Sequence, residues 1–421
     1  MADRIAGKVA VIGAGYAGLA CAVELADAGI EVHVFEASRT LGGRARTVEI
    51  EGLTLDNGAH ILVGAYAETL RLMTKVGAGG TALKRCPLHL EYPGIIRIAA
   101  PRLPAPLHLA WALLAARGFN FREKFAALRF MRALEKCRFR LPRDITAKQL
   151  IANQPLAVRR FLWEPLCLAA LNTPVAQASA QVFLNVLRDS LAAGRAASDL
   201  LLPATDFSAL FPEPAARFIA TRGGQVHRQT RIRSLEELDG FDHRVVAVAP
   251  QHLATLLPEI AAGLRFEWQP IATAYLHYPA TARLPFPMVG VAGRHAQWLF
   301  DRGALCGQHG LFAAVISGAG SWQALGHERL AAAILAEIAG IVPDLPPPRW
   351  VRVIEEKRAT FCCTPGLERP PTATDRPDVW LAGDYVAGDY PATIEGAVRS
   401  GVTAAGRVRA ALAGNVTLNG T

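Results

Sequence analysis

One short stretch limits the fold of this chain more than any other: Val9-Ala10-Val11-Ile12-Gly13-Ala14-Gly15-Tyr16-Ala17-Gly18, followed by the apolar run Leu19 to Ala28. It spells a strand, a glycine turn and a helix in succession. Gly13 permits the tight turn and Gly15 lets the backbone approach a diphosphate. Ala17 and Gly18 open the helix, and Gly18 lets it lie close to the strand. An anion is favoured at such a helix N-terminus, where free N–H groups and the helix dipole converge. A second apolar run, Ile30 to Phe35, ends in Glu36, eighteen residues after Gly18, where a carboxylate accepts from ribose hydroxyls. These residues predict a dinucleotide site on a parallel sheet.

The acid alone does not separate NAD from FAD. Arg39-Thr40-Leu41-Gly42-Gly43-Arg44 follows directly, and a second glycine pair is not needed by nicotinamide folds. Glu36, Arg39, Gly42, Gly43 and Arg44 together resemble the extended motif of the amine oxidase and carotenoid desaturase flavoproteins. That resemblance implies FAD, with Arg44 beside the pyrophosphate and flavin. Near the C-terminus, Val379-Trp380-Leu381-Ala382-Gly383-Asp384 reads as a strand ending in Gly-Asp, and Pro391 or Thr393 starts a helix. By the same resemblance Gly383 and Asp384 contact the ribityl and phosphate region. The helix N-terminus at Thr393 and Ile394 faces the flavin C2 carbonyl, Ile232 flanks the adenine, and Gly58-Ala59-His60 falls beside the flavin. No cysteine stands in a pattern for covalent attachment, so tight non-covalent binding is expected.

Length allows two domains with sizeable cores in 421 residues. No run of eighteen uncharged apolar residues occurs, so nothing need span a bilayer. Few residues precede the first strand, leaving no room for a signal peptide. Seven cysteines without framework spacing suit a reduced, cytoplasmic setting, and no metal site is expected. The net charge of +9 is concentrated: between Tyr92 and Arg143 stand eleven Lys or Arg against Glu123 and Glu135. Phe121, Phe125, Leu128, Phe130, Met131 and Leu134 recur there at near-helical spacing, after an apolar piece around Trp111. Two readings stay open, a helix packed on its own domain or one lying peripherally on the anionic inner face of the membrane. Nucleic acid explains the charge less well, since no binding motif accompanies it.

The expected fold class is α/β: a Rossmann-like FAD-binding domain with an inserted substrate domain of antiparallel sheet plus helices. The FAD-binding domain is expected over 1–90, 215–265 and 375–421. The helical, membrane-facing part is placed at 91–214 and the antiparallel sheet at 266–374. Thr230 to Leu235 and Arg244 to Ala249 read as strands of the first domain, and Ile271 to Tyr278 and His309 to Ser317 as strands of the second. Ser317-Gly318-Ala319-Gly320-Ser321 imitates a second dinucleotide turn, but Gln323 stands where the third glycine belongs. No second fingerprint, for NAD(P)H, is visible.

In the middle, Leu162 to Pro174 and Ala178 to Asp189 read as apolar helices joined by an Asn-Thr-Pro turn, with Ser179 as an N-cap. With Ser198 to Pro203, Arg369-Pro370-Pro371-Thr372, Leu55 to His60 and Glu356 to Phe361, they resemble the hydroxysqualene dehydroxylases of bacterial hopanoid synthesis. The likeness runs from about Lys8 to about Leu412. It implies that a thirty-carbon allylic alcohol loses hydroxide and gains hydride from flavin N5, giving squalene, with an electron donor not identified. Such chemistry needs a close approach to N5, a proton donor and a long, dry apolar pocket. His60 is the favoured donor, since an imidazole titrates near neutral pH. Asp56 is a second, better suited to hold its loop by accepting backbone N–H groups; Tyr66 and Tyr385 remain open. The rivals are an oxidative polyene desaturase, an amine oxidase, and a non-catalytic prenyl-binding escort.

Overall fold

The strand Lys8–Ile12 buries Val9 and Val11 in one apolar core and Ala10 and Ile12 in another. Burial on both faces places a strand in the middle of a covered parallel sheet. In the computed structural model, which describes residues 7–293 and 295–418, it is the central strand of five. The order is Gln225–His227, Glu31–Phe35, Lys8–Ile12, His243–Val246 and Val379–Leu381, all parallel. Ile12 pairs with Phe35 and Val246, and Val246 with Leu381, so the carboxyl ends of these strands align along one crevice. The helix Tyr16–Asp27 lies against the closing helix Ile394–Leu418. A Cβ at Gly401 would sit 2.1 Å from the Ala17 carbonyl oxygen, so glycine is what allows that crossing.

A second five-stranded sheet is wholly antiparallel, in the order Met288–Gly290, Trp298–Asp301, Leu311–Ser317, Trp268–His277 and Trp350–Phe361. Its residues alternate. Ala272, Ala274, Leu276, Ala314 and Ile316 pack under the helix Gly326–Ala339. Tyr275, Trp298, Phe300, Ala313 and Val315 face the other way, into a core shared with the helical middle of the chain. The register slips between Gln269 and Ile271, so Trp350–Phe361 carries extra residues at Lys357–Ala359. Bulges of this kind re-aim side chains near functional sites.

Thr47–Ile50 and Leu53–Asp56 pair as an antiparallel hairpin. The middle of the chain is helical, with Leu107–Leu114, Phe121–Lys136, Glu164–Leu171 and Ala180–Leu187 as its longer pieces. Ser179 caps the last of these, its hydroxyl accepting from Val182 N at 3.1 Å. Two expectations change. Thr230 to Leu235 makes no strand: Ser234 and Glu237 form a capping box that turns the chain into a tight helical turn at Leu235–Leu238, and Gln225–His227 takes the sheet edge instead. The division placed at 90/91 runs through the strand His89–Tyr92, which pairs with Ile96–Ala99.

Candidate functional site

The glycine turn leaves the end of Lys8–Ile12 at the crevice between the two sheets. Gly13 has φ +107°, and a Cβ there would meet the Ala247 carbonyl oxygen at 2.7 Å. Gly18 does not face the crevice; its Cβ would fall 2.0 Å from the Gly13 oxygen, so its glycine serves packing. Gly15 is different. A Cβ there would project into open space, with Gly43 Cα at 3.9 Å as its nearest neighbour. Gly42 N donates to the Ala14 oxygen at 2.9 Å, drawing the second glycine pair against the first. The helix starting at Tyr16 has no side-chain cap, so its first N–H groups remain for a ligand.

These residues open on a cavity of about 910 Å³, within the range of cofactor sites. One end is polar. Glu36 accepts from Ala14 N and Ser38 N, both at 2.8 Å, and each carboxylate oxygen keeps a further acceptor site. Arg39, Ile232 and Val248 line the wall beside it. In the middle, Arg44 donates to Asp384 Oδ1 at 2.6 Å and to the Ala359 carbonyl at 2.7 Å, in the bulge of the long strand. Desolvation of that guanidinium is outweighed by Asp384, and its pKa is raised. The Thr393 hydroxyl caps the closing helix by accepting from Gly396 N at 3.1 Å, and Thr393 and Ile394 face the cavity. Arg369 donates to the Asp384 and Tyr390 carbonyls and fixes this loop.

The far end is apolar, lined by Ala169, Ala170, Ile271, Trp298, Phe300 and Val315. The sheet face therefore supplies most of this wall, and the helical middle contributes one short stretch. Asn172 is the clamp between them. It ends its helix in the left-handed region at φ 45°, accepts from Gly318 N at 2.7 Å and donates to Thr360 Oγ1 at 3.0 Å. The imitation glycine turn at 317–321 is thus occupied: Ala319 N and Gly320 N donate to Gln269 and Gln323.

Gly58, Ala59 and His60 line the cavity between its two ends. Ala59 N donates to Thr273 Oγ1 at 3.4 Å, and the His60 ring stands edge-on to Phe207 at 5.1 Å. Burial, aided by the Arg44 charge, pushes the His60 pKa down to about 4. An imidazole titrating near neutrality was the reason to favour it, and burial overturns that reason. Asp56 does not face the main cavity. Its oxygens accept from Phe207 N at 2.8 Å and Arg302 Nη1 at 3.0 Å, and its own carbonyl accepts from Tyr275 OH at 2.9 Å. Burial raises its pKa against the opposing Arg302. It holds its loop. Glu356 was passed over as a site residue, yet it faces the cavity, accepts from Asn57 Nδ2 at 3.2 Å and makes no ion pair among the described residues. In the sequence it opens the run Glu356 to Phe361, which shares the family resemblance, but no spacing rule marks the acid within it.

The cradle over Gly15, two helix starts converging on one cavity and the buried Tyr385 hydroxyl without a partner fit a long anionic cofactor. The class is thereby defined: an FAD-dependent oxidoreductase on a two-sheet flavoprotein fold. Residues 16–409 match the model of the flavin containing amine oxidoreductases. The chain is 32% identical to a hydroxysqualene dehydroxylase of Rhodopseudomonas palustris, over 96% of this chain and 98% of that one. It is 29% identical to another from Zymomonas mobilis, over 94% and 97%. A probable zeta-carotene desaturase of Synechococcus elongatus is more distant, at 24% over 94% and 98%. Among solved structures, putrescine oxidase with bound putrescine superposes with a TM-score of 0.65 at 18% identity, covering 96% of this chain and 99% of that one; this likeness shows the fold. The chain belongs to the flavin containing amine oxidoreductase family and, within it, groups with the hydroxysqualene dehydroxylases.

Proposed function

We propose that this protein reduces hydroxysqualene to squalene and water. The observation that carries the reading is the apolar end of the cavity, continuous with the polar end that suits FAD, in a chain whose relatives bear that name across almost their whole length. Reduced FAD supplies a hydride from flavin N5 when bound. The chain supplies the rest. Gly13, Gly15 and Ala17 hold the diphosphate at the first helix N-terminus, and Glu36 takes the ribose, with Arg39 and Ile232 along the adenosine. Gly43, Arg44, Gly383 and Asp384 hold the linker between the two halves of the cofactor. The helix start at Thr393 and Ile394 places positive potential where negative charge develops. Ile271, Trp298, Phe300 and Val315 exclude water from the allylic carbon.

Departure of hydroxide needs a proton. His60, neutral at physiological pH, donates a hydrogen bond that orients the hydroxyl, and Glu356, on the same cavity wall, relays the proton to it from solvent. The balance is one hydride and one proton consumed for one water released, and an external two-electron donor restores the cofactor. The protein works on the cytoplasmic side of the membrane. Anaerobic mixing of dithionite-reduced holoenzyme with hydroxysqualene tests the whole: flavin reoxidation with one squalene formed per flavin is expected. Absence of both overturns it. Bleaching of the oxidised enzyme by a polyene would favour the desaturase reading, to which the zeta-carotene desaturase likeness points.

A further inference from the structure

Every large hydrophobic side chain that stands exposed among the described residues falls between Ile95 and Leu156. Five of them make one surface. On the helix Leu107–Leu114, Leu107, Trp111 and Leu114 are 57%, 57% and 50% exposed, at the i, i+4, i+7 spacing of a single stripe. The opposite side of that helix is buried through His108, Ala112 and Leu113. The next helix begins with Phe121 and Phe125, 75% and 54% exposed and one turn apart. Lys124 Nζ donates to the Leu114 carbonyl at 2.8 Å, so the end of the first stripe and the start of the second are adjacent. Contiguous apolar surface of this kind marks an interaction site.

The rim decides the partner. Arg102, Arg117, Arg122, Arg129, Arg132 and Lys136 are exposed and enter no ion pair among the described residues. Of the two acids in this region, Glu123 is engaged in a capping box with Asn120. An apolar stripe ringed by unpaired cations complements an anionic lipid surface, with the aromatic side chains at headgroup level. A second copy of the chain fits poorly, because a two-fold pairing of this patch would set like charges together. No helix among the described residues is long and apolar enough to cross a membrane, which leaves attachment by a face.

We propose that the 107–125 surface docks this protein on anionic bilayers. Ala112 and Leu113 on the buried side of the Leu107–Leu114 helix, and Ala116 just after it, belong to the same apolar cluster as Trp298, Phe300 and Val315. The docked face and the apolar end of the cavity therefore share one hydrophobic core. Only this last connection rests on the proposed reaction; docking stands on the patch alone.

Co-sedimentation of the FAD-loaded full chain with vesicles tests it without any substrate. With vesicles of mixed phosphatidylglycerol and phosphatidylcholine the protein should pellet, and with phosphatidylcholine alone at least tenfold less. Trp111→Glu with Phe121→Glu should abolish pelleting, and Arg122→Glu with Arg129→Glu should weaken it at low salt. Both should keep the flavin absorbance and melting profile, since these side chains are exposed. Failure of the wild type to pellet, or undiminished pelleting of the apolar-to-Glu variant, overturns the proposal. A wild-type dimer in sedimentation velocity that Trp111→Glu dissociates would assign the face to a second copy and overturn it equally.

Discussion

Glycines of the dinucleotide turn fall into two kinds, those packed against protein and those facing the open cavity. Gly18 and Gly15 illustrate them. Gly18→Ala forces a methyl to within 2.0 Å of a backbone oxygen and should destabilise the whole chain. Gly15→Val meets no such contact, and should leave the flavin-free protein as stable as wild type while FAD content, read at 450 nm, falls to near zero. His60 gives a second test. Its folded pKa of about 4 lies below the ordinary histidine value of 6.5, so the unfolded chain binds the proton more readily. The stability this confers is complete above pH ~6.5 and is lost as pH falls toward 4, by about 3 kcal/mol at roughly 1.4 kcal/mol per unit. Melting curves of the flavin-free protein from pH 7 to 4 should fall steeply in the wild type and less so in His60→Gln. In turnover, Glu356→Gln should lower kcat by about 10²- to 10⁴-fold with FAD retained. His60→Gln, which keeps a hydrogen-bond donor, should cost less; the reverse order would return the proton to His60.

At the scale of elements, buried polar clamps join pieces distant in sequence. Asp56 on the first hairpin and Arg302 after the strand Trp298–Asp301 form a pair with side chains 3% and 9% exposed. Arg302→Met should cost about 3–5 kcal/mol, because it strands a buried carboxylate, and Asp56→Asn added to it should restore much of the loss. Chemical denaturation of the two variants checks this. Glu395 similarly ties the closing helix to Ala67–Lys75 by accepting from Glu68 N, Thr69 N and the Thr69 hydroxyl. The glycine turn, the Gly-Asp strand end and the Ser179 cap were legible because each rests on local geometry that few residues satisfy. Thr230 to Leu235 was misread for the converse reason. Its β-branched residues fit a strand, but whether a ladder forms depends on a partner edge, and Gln225–His227 already holds it.

Across the whole molecule, three stretches of chain meet around one cavity, so cofactor binding and global stability are coupled. FAD at a thousandfold excess over its Kd should add about 4 kcal/mol, seen as a rise in melting temperature that Gly15→Val abolishes. The sequence by itself determined the parallel sheet, the dinucleotide turn and the second glycine pair, because each is written in neighbours a few residues apart. Tertiary structure alone decided that Arg44 meets Asp384, that His60 is desolvated below its useful pKa, that Asp56 is held by Arg302, and that a sheet face makes the apolar wall. These depend on which side chains lie together after residues separated by hundreds of positions pack, and burial and charge at a point are set by that packing.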